Sequence, residues 1–546
     1  MEFTGNTALN YNRLWAAIPT SSGSFYSPDN LRNSRKAIEN LYQSYGYNDV
    51  SATFRVERDT PNALAHLTFD ITERRQSFIR EIEIEGNQRN SLSFVTRQLD
   101  FKVGDVLNFE KINESRRRLY GTGIYASVDF LTDEIGEDIS ENRGENSGEN
   151  GDAGDSGENG DAGSDAPARK NIRVRLRLRE NAPYRMQYGL FYDTDRGPGG
   201  IFEAQNMNVM GRASTLGFRL RYDSDLKEGR VYYNQPFIRT LHLRLDAAAF
   251  MNQENRSAYC AKRTGFSLTQ ERALPRAYRL DYGYSYDYVS WEIKPHNDHE
   301  CWAEQNADSQ ENVTVARLAA TFSRDTRDNA LDATRGEFAS HTLEFGPAWL
   351  GSKTGFARYY GQYFRYVPLD KYFKLPTEDQ DGNSLPPRFV YAGALRLGLA
   401  SAFAGRDRAS LEISPDRFFT GGRELIYPER FFAGGGTTMR GFEQDMLGSE
   451  RREDGSWRAR GGEGLFLLNS EIRFPIWNIL HGVGFLDIGN VYEHLSDFNF
   501  NIRKTAGAGL RLKIKFVPLR FDYGFKLDKR QGESGSAYFF SIGQAF

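Results

Sequence analysis

The stretch Arg279–Val289 reads RLDYGYSYDYV. Leu280, Tyr282, Tyr284, Tyr286 and Tyr288 recur at every second position, so an extended chain puts all five on one face and leaves Arg279, Asp281, Gly283, Ser285 and Asp287 on the other. A helix would scatter both sets around its axis. The segment is therefore a strand with one aromatic face and one polar, charged face. LRFDYGFKL repeats the pattern, with Leu519, Phe521, Tyr523, Phe525 and Leu527 opposite Arg520, Asp522, Gly524 and Lys526.

Outward from these two strands, the period stays at two from Tyr184 to the end of the sequence. About sixteen such segments can be counted, near residues 184, 201, 212, 230, 242, 262, 277, 313, 336, 356, 389, 463, 481, 504, 519 and 536. An even number lets an antiparallel sheet close on itself and lose its edges. A soluble sandwich also alternates, but it would not turn Arg, Asp and Lys into its core along strands of about ten residues. The reading is a membrane β-barrel of 16 antiparallel strands over residues 183–546, with aromatics toward lipid and charges toward the lumen. Short connections at NVMGR, IRT and VPL, set against one long connection over 403–462, predict short turns at one end and long loops at the other.

Residues 1–182 follow another rule. Helical patterns at NYNRLWAAI and SPDNLRNSRKAIENLYQSYGY, the latter with Ser27 as cap and Pro28 at the first helical position, precede two alternating segments. The same order, β-α-α-β-β, recurs from SFIREIEIEGN to NIRVRLRLRE, giving two units at 1–75 and 76–182. Residues 136–168 interrupt the second unit with a Gly-, Asp- and Glu-rich near-repeat of little apolar content, read as a disordered acidic insertion.

Composition excludes more than it selects. The 546 residues carry a formal net charge of -3, which gives no basic bias toward nucleic acid. No run approaches the length of a membrane helix, a test that is blind to barrels. No Walker A or G-x-S-x-G motif is present, and no constellation of residues supports an enzyme or a cofactor. HNDHEC at His296–Cys301 lacks a paired set of metal ligands, so no metal site is expected. The start, MEFTGNTALNYN, has no secretory signal, so the expectation is either a cytosolic protein or a true start that lies upstream. Cys260 and Cys301, placed by the strand count in adjacent external loops, are a candidate disulfide pair.

RDTRDNALDATRGEFAS, RFFAGGGTTMRGFEQDMLG, NSEIRFPIW, GVGFLDIGNVY and the ending YFFSIGQAF, in this order, resemble the outer-membrane assembly and translocation family typified by BamA and TamA and related to the two-partner secretion transporter FhaC. The resemblance spans the chain and makes the two N-terminal units POTRA-like. It implies that the long loop folds back into the lumen and docks Arg440, with Gly441 and Phe442 beside it, on Glu471 and Asp487. Alternation along LFLLNSEIRF independently turns Glu471 inward. Asp487 is expected inward because a carboxylate toward lipid costs about 1 kcal/mol or more.

The resemblance further implies a lateral seam between the last strand, with Gly543 at a kink and Phe546 at its end, and the first, with Tyr184 and Gly189. Its unpaired backbone could template a client strand. Asp325, Arg327, Asp328, Arg335 and Gly336 are read as a structural rim turn held by charge pairing and a positive-φ glycine. The implied activity is insertion or translocation of outer-membrane proteins without nucleotide, the alternative being export of an exoprotein by two-partner secretion. Implied partners are unfolded outer-membrane clients, periplasmic or inner-membrane subunits at the POTRA units, and outer-membrane lipid. The implied location is a bacterial outer membrane, with the POTRA units in the periplasm.

Overall fold

The computed structural model describes residues 1–21, 23, 25–62, 64–136, 169–236, 243–294, 301–302, 310–330, 332–378, 385–405, 425–498, 501–514 and 518–542. Most of the acidic insertion, the His296 segment before Cys301, and Gly543 and Phe546 lie outside the described residues. The chain divides into two compact units, one of Met1–Pro183 with Asn208–Ala213 and one of Tyr184–Met207 with Ser214–Phe546.

The first unit contains two β-α-α-β-β modules. In the first, strand Glu2–Thr4 pairs in parallel with Leu64–Thr72, which also pairs antiparallel with Ser51–Asp59. Helices Tyr11–Ala17 and Pro28–Ser44 cover this sheet, burying Leu14, Leu31, Ile38 and Tyr42 against Phe69. Ser27 caps the second helix by accepting from the Asn30 amide, satisfying one of the orphan donors at its start. In the second module, Lys170–Glu180 lies between Ser77–Glu85 and Tyr125–Glu134. Its alternation puts Ile172, Val174, Leu176 and Leu178 into the core. On the opposite face Arg173 meets Glu81 at 2.7 Å and Arg177 meets Glu85 at 3.0 Å.

The second unit is a closed barrel of sixteen strands, every sequential neighbour antiparallel. The outward face is apolar: Leu216, Phe218, Leu220 and Tyr222 are exposed on one strand, as lipid contact requires. The polar face of the opening stretch points inward, where Asp287 is buried and accepts from Arg317 at 3.0 Å.

Loop lengths depart from expectation. Connections 194–196, 223–225 and 256–258 are as short as those at the opposite end, while 369–389, at the same end as the rim turn, is long. The lengths therefore do not sort by end, because the neighbouring long strands need only a tight reversal wherever no loop enters the lumen. Cys260 is likewise not in a loop. It is the second residue of strand Tyr259–Leu274, and it forms a disulfide with Cys301 in the connection that follows the next strand.

Candidate functional site

The connection between strands Val390–Gly405 and Gly464–Trp477 fills the lumen over its described part, from Leu425. Leu425, Ile426, Tyr427, Phe431, Ala433, Met439, Phe442 and Leu447 are buried against inward wall residues that include Val289, Trp291, Val315, Phe356, Leu465, Leu467 and Val491. Tyr427 stacks on Trp291 and Phe431 on Tyr360. Burial of this area is the non-directional part of the loop's attachment. Charged contacts fix its register.

At the tip, Arg440 is buried and reaches two strands. Its Nε and Nη2 donate to the two oxygens of Asp487, each at 2.8 Å, a bidentate fork, and its backbone N–H donates to Asp487 at 3.1 Å. Nη1 donates to Glu471 at 3.0 Å, and the guanidinium lies 3.6 Å from the Phe485 ring centroid. Glu471 is shared with Arg473, whose Nε donates at 2.7 Å. Asp487 is fully buried, and among the described residues Arg440 alone makes hydrogen bonds to its carboxylate.

Gly441 has φ of 98° and rests on the same side of the wall at Gly524, two strands from Asp487, where an added Cβ would lie 2.7 Å from the Gly441 nitrogen. This close approach explains both glycines. Phe442 then sits beneath two cations, Arg503 at 4.8 Å and Lys526 at 4.3 Å. Arg503 is itself held by Glu533. The three residues Arg440, Gly441 and Phe442 thus make three different attachments to the wall.

A second charge centre escaped sequence reasoning. Glu429, in the turn Tyr427–Glu429, is 1% exposed and accepts from arginines on three strands. Arg263 donates at 2.9 Å, Arg317 at 2.8 and 3.0 Å, and Arg358 at 3.3 Å. Arg263 also donates to the Pro428 carbonyl at 2.8 Å. A third contact pairs Asp445 with Arg256 at 2.9 Å. The available signal was the pair Glu429 and Arg430 inside the otherwise apolar run LIYPERFF; the partners of Glu429 depend on strand register, which the sequence does not print.

The rim-turn residues come together at 325–336. Asp325 accepts from Arg327 at 2.7 Å, Asp328 accepts from the Thr334 and Arg335 amides, and Gly336 has φ of 92°. The turn also reaches the Arg440 site, since Arg473 donates to the Ala333 carbonyl at 3.1 Å.

At the seam, Tyr184–Asp193 and Ser536–Ile542 are adjacent and pair at Ser541 with Asp193 and Ile542 with Tyr192, the last described residues of the final strand, and the Thr194 N–H donates to the Phe540 carbonyl at 3.0 Å. Tyr184 and Tyr188 are largely exposed, and an added Cβ at Gly189 would meet open space.

Comparison with known proteins follows the same division. The family model described as the Omp85 superfamily domain matches residues 208–546, and the POTRA model, described as a surface antigen variable number repeat, matches 1–74 and 77–143. An outer membrane protein assembly factor BamA of Nitratidesulfovibrio vulgaris is 22% identical over 533 residues, covering 96% of this chain; the chain spans 58% of that relative. The crystal structure of BamA from Haemophilus ducreyi lacking POTRA domains 1–3 is similar in fold, with a TM-score of 0.67 and 17% identity over 95% of this chain and 94% of that one. CdiB from Escherichia coli gives a TM-score of 0.50 at 13% identity, over 99% of this chain and 88% of that one.

Proposed function

This chain belongs to the Omp85 superfamily, a non-enzymatic barrel of the outer membrane with its POTRA units in the periplasm, and from that premise we propose that it inserts other barrel proteins into that membrane. The observation that carries the proposal is the Omp85 domain over residues 208–546 behind POTRA matches at 1–74 and 77–143, with the last described strand, Ser536–Ile542, beside the first, Tyr184–Asp193. Once the seam parts, backbone groups of the first strand, Tyr184–Asp193, would offer an incoming strand the hydrogen bonds it needs by β-augmentation, and the growing client sheet would leave through the gap. The free energy of client folding would drive the step, so no nucleotide is required.

In this reading the inward loop keeps the lumen occluded while the seam works, with Arg440, Glu471 and Asp487 as its latch and the rim turn bracing Arg473 behind them. The POTRA units would present strand edges to unfolded clients or to partner subunits. Two such units also suit a two-partner secretion transporter, which would pass one exoprotein through the lumen and would have to displace the loop. Depletion distinguishes the two. Insertion predicts falling outer-membrane levels of several unrelated barrels. Unchanged barrel levels, with loss of a single secreted protein, would overturn it in favour of secretion.

A further inference from the structure

The two charge centres that hold the loop are opposite in polarity and unequal in what they leave behind. Around Glu429, each arginine also has a carboxylate on the wall: Arg263 lies 3.6 Å from Glu254, Arg317 is 3.0 Å from Asp287 and 3.3 Å from Glu344, and Arg358 is 3.6 Å from Glu344. The wall set alone therefore holds three arginines and three carboxylates. Withdrawal of Glu429 leaves that set paired. Around Arg440, withdrawal takes from Asp487, fully buried while the loop is seated, its one hydrogen-bonded cation among the described residues, and leaves Glu471 with Arg473. A buried charge stripped of its direct partner is the costlier state.

We propose that Glu429 is a second anchor of the inward loop and the one built to release, while Arg440 is the locked end. The limb at Leu425–Glu429 lifts off its arginines and redocks while the tip stays seated, so the loop hinges about Arg440 instead of leaving as one piece. Glu429 is thereby a positioning residue that sets how far the lumen opens. The inference deepens the functional reading and rests on it only in purpose, since a loop that never moves has no use for an unequal pair.

The test reads loop motion without reference to any client. Cys260 and Cys301 are joined in a disulfide, so a cysteine placed in the loop is the sole reactive thiol. Ile426→Cys reports the Glu429 limb and Met439→Cys the tip; both positions are buried. In the full chain reconstituted in lipid vesicles, a polar maleimide should label Ile426→Cys about tenfold faster than Met439→Cys, because the two limbs open with different local free energies. Adding Glu429→Gln should speed Ile426→Cys further and leave Met439→Cys unchanged, while Glu429→Asp restores the parent rate. Equal labelling of the two reporters, or equal acceleration of both by Glu429→Gln, overturns the proposal. If Glu429→Gln fails to form a barrel, the two single-reporter rates still decide it. Unequal rates together with unchanged outer-membrane barrel levels on depletion would keep the hinge and remove the insertion reading.

Discussion

The tip of the inward loop and the limb that leads to it are both bound by buried charge, yet they are built in reverse. At the tip, a loop cation enters a site of wall anions, and Asp487 depends on it for direct hydrogen bonds. At the limb, a loop anion enters a site of wall cations that already have anions of their own. The same number of good hydrogen bonds therefore means different things. What matters to stability is the unpaired charge that remains after the contact breaks, more than the contacts counted while it holds.

The largest expected effect follows from that asymmetry. Arg440→Ala should lower barrel stability by about 3–5 kcal/mol, because it abandons a fully buried carboxylate; thermal unfolding in detergent, followed by heat-modifiable migration, measures it. A loss near zero would break the comparison at its stronger end. Glu429→Gln should cost less, about 1–3 kcal/mol, since the amide keeps an acceptor and the three arginines keep wall carboxylates. A cost equal to that of Arg440→Ala would make the two anchors equivalent. Phe442→Leu keeps an apolar side chain, smaller than the ring, but removes the ring beneath Arg503 and Lys526, and should cost about 1–2 kcal/mol.

The smallest expected effect lies in the first unit and sets the scale for a half-exposed carboxylate. Burial disfavours ionisation of Glu73, but hydrogen bonds from Thr7, from the Tyr42 hydroxyl at 2.7 Å and from the Ala8 amide at 2.8 Å outweigh it and hold its carboxyl below the usual range. A lowered folded-state value means that stability is present above the ordinary glutamate value of about 4.3 and is lost as pH falls through the lowered one. Glu73→Gln should therefore destabilise that unit's unfolding transition at pH 7 by under about 1 kcal/mol, solvent screening included. The difference from the parent should vanish on acidification. A difference that persisted in acid would mean that packing, not charge, holds the site.

Much of the barrel was legible because its physics is local. Alternation at Arg279–Val289 states which residues face lipid, whatever the neighbouring strand is. The direction of Glu471 followed from its own strand in the same way. Loop lengths were misjudged because a connection's length reflects what the loop does at its end of the barrel, and Cys260 was placed in a loop because strand ends carry no mark in the period-two pattern. The Glu429 site was invisible for a related reason. Arg263, Arg317 and Arg358 come from three strands, and only the register between strands brings them to one height.

By itself the sequence determined the closed sheet, its two faces, and the repeated β-α-α-β-β plan of the first unit, since each is set by periodicity along one stretch of chain. Its ordered motifs, through the family resemblance, nominated Arg440, Glu471 and Asp487. Only the tertiary structure decided that Asp487 depends on Arg440 for its direct hydrogen bonds while the arginines around Glu429 do not depend on Glu429. That difference lies in which charges share a buried neighbourhood once sixteen strands have closed in one register, a property of the ring as a whole.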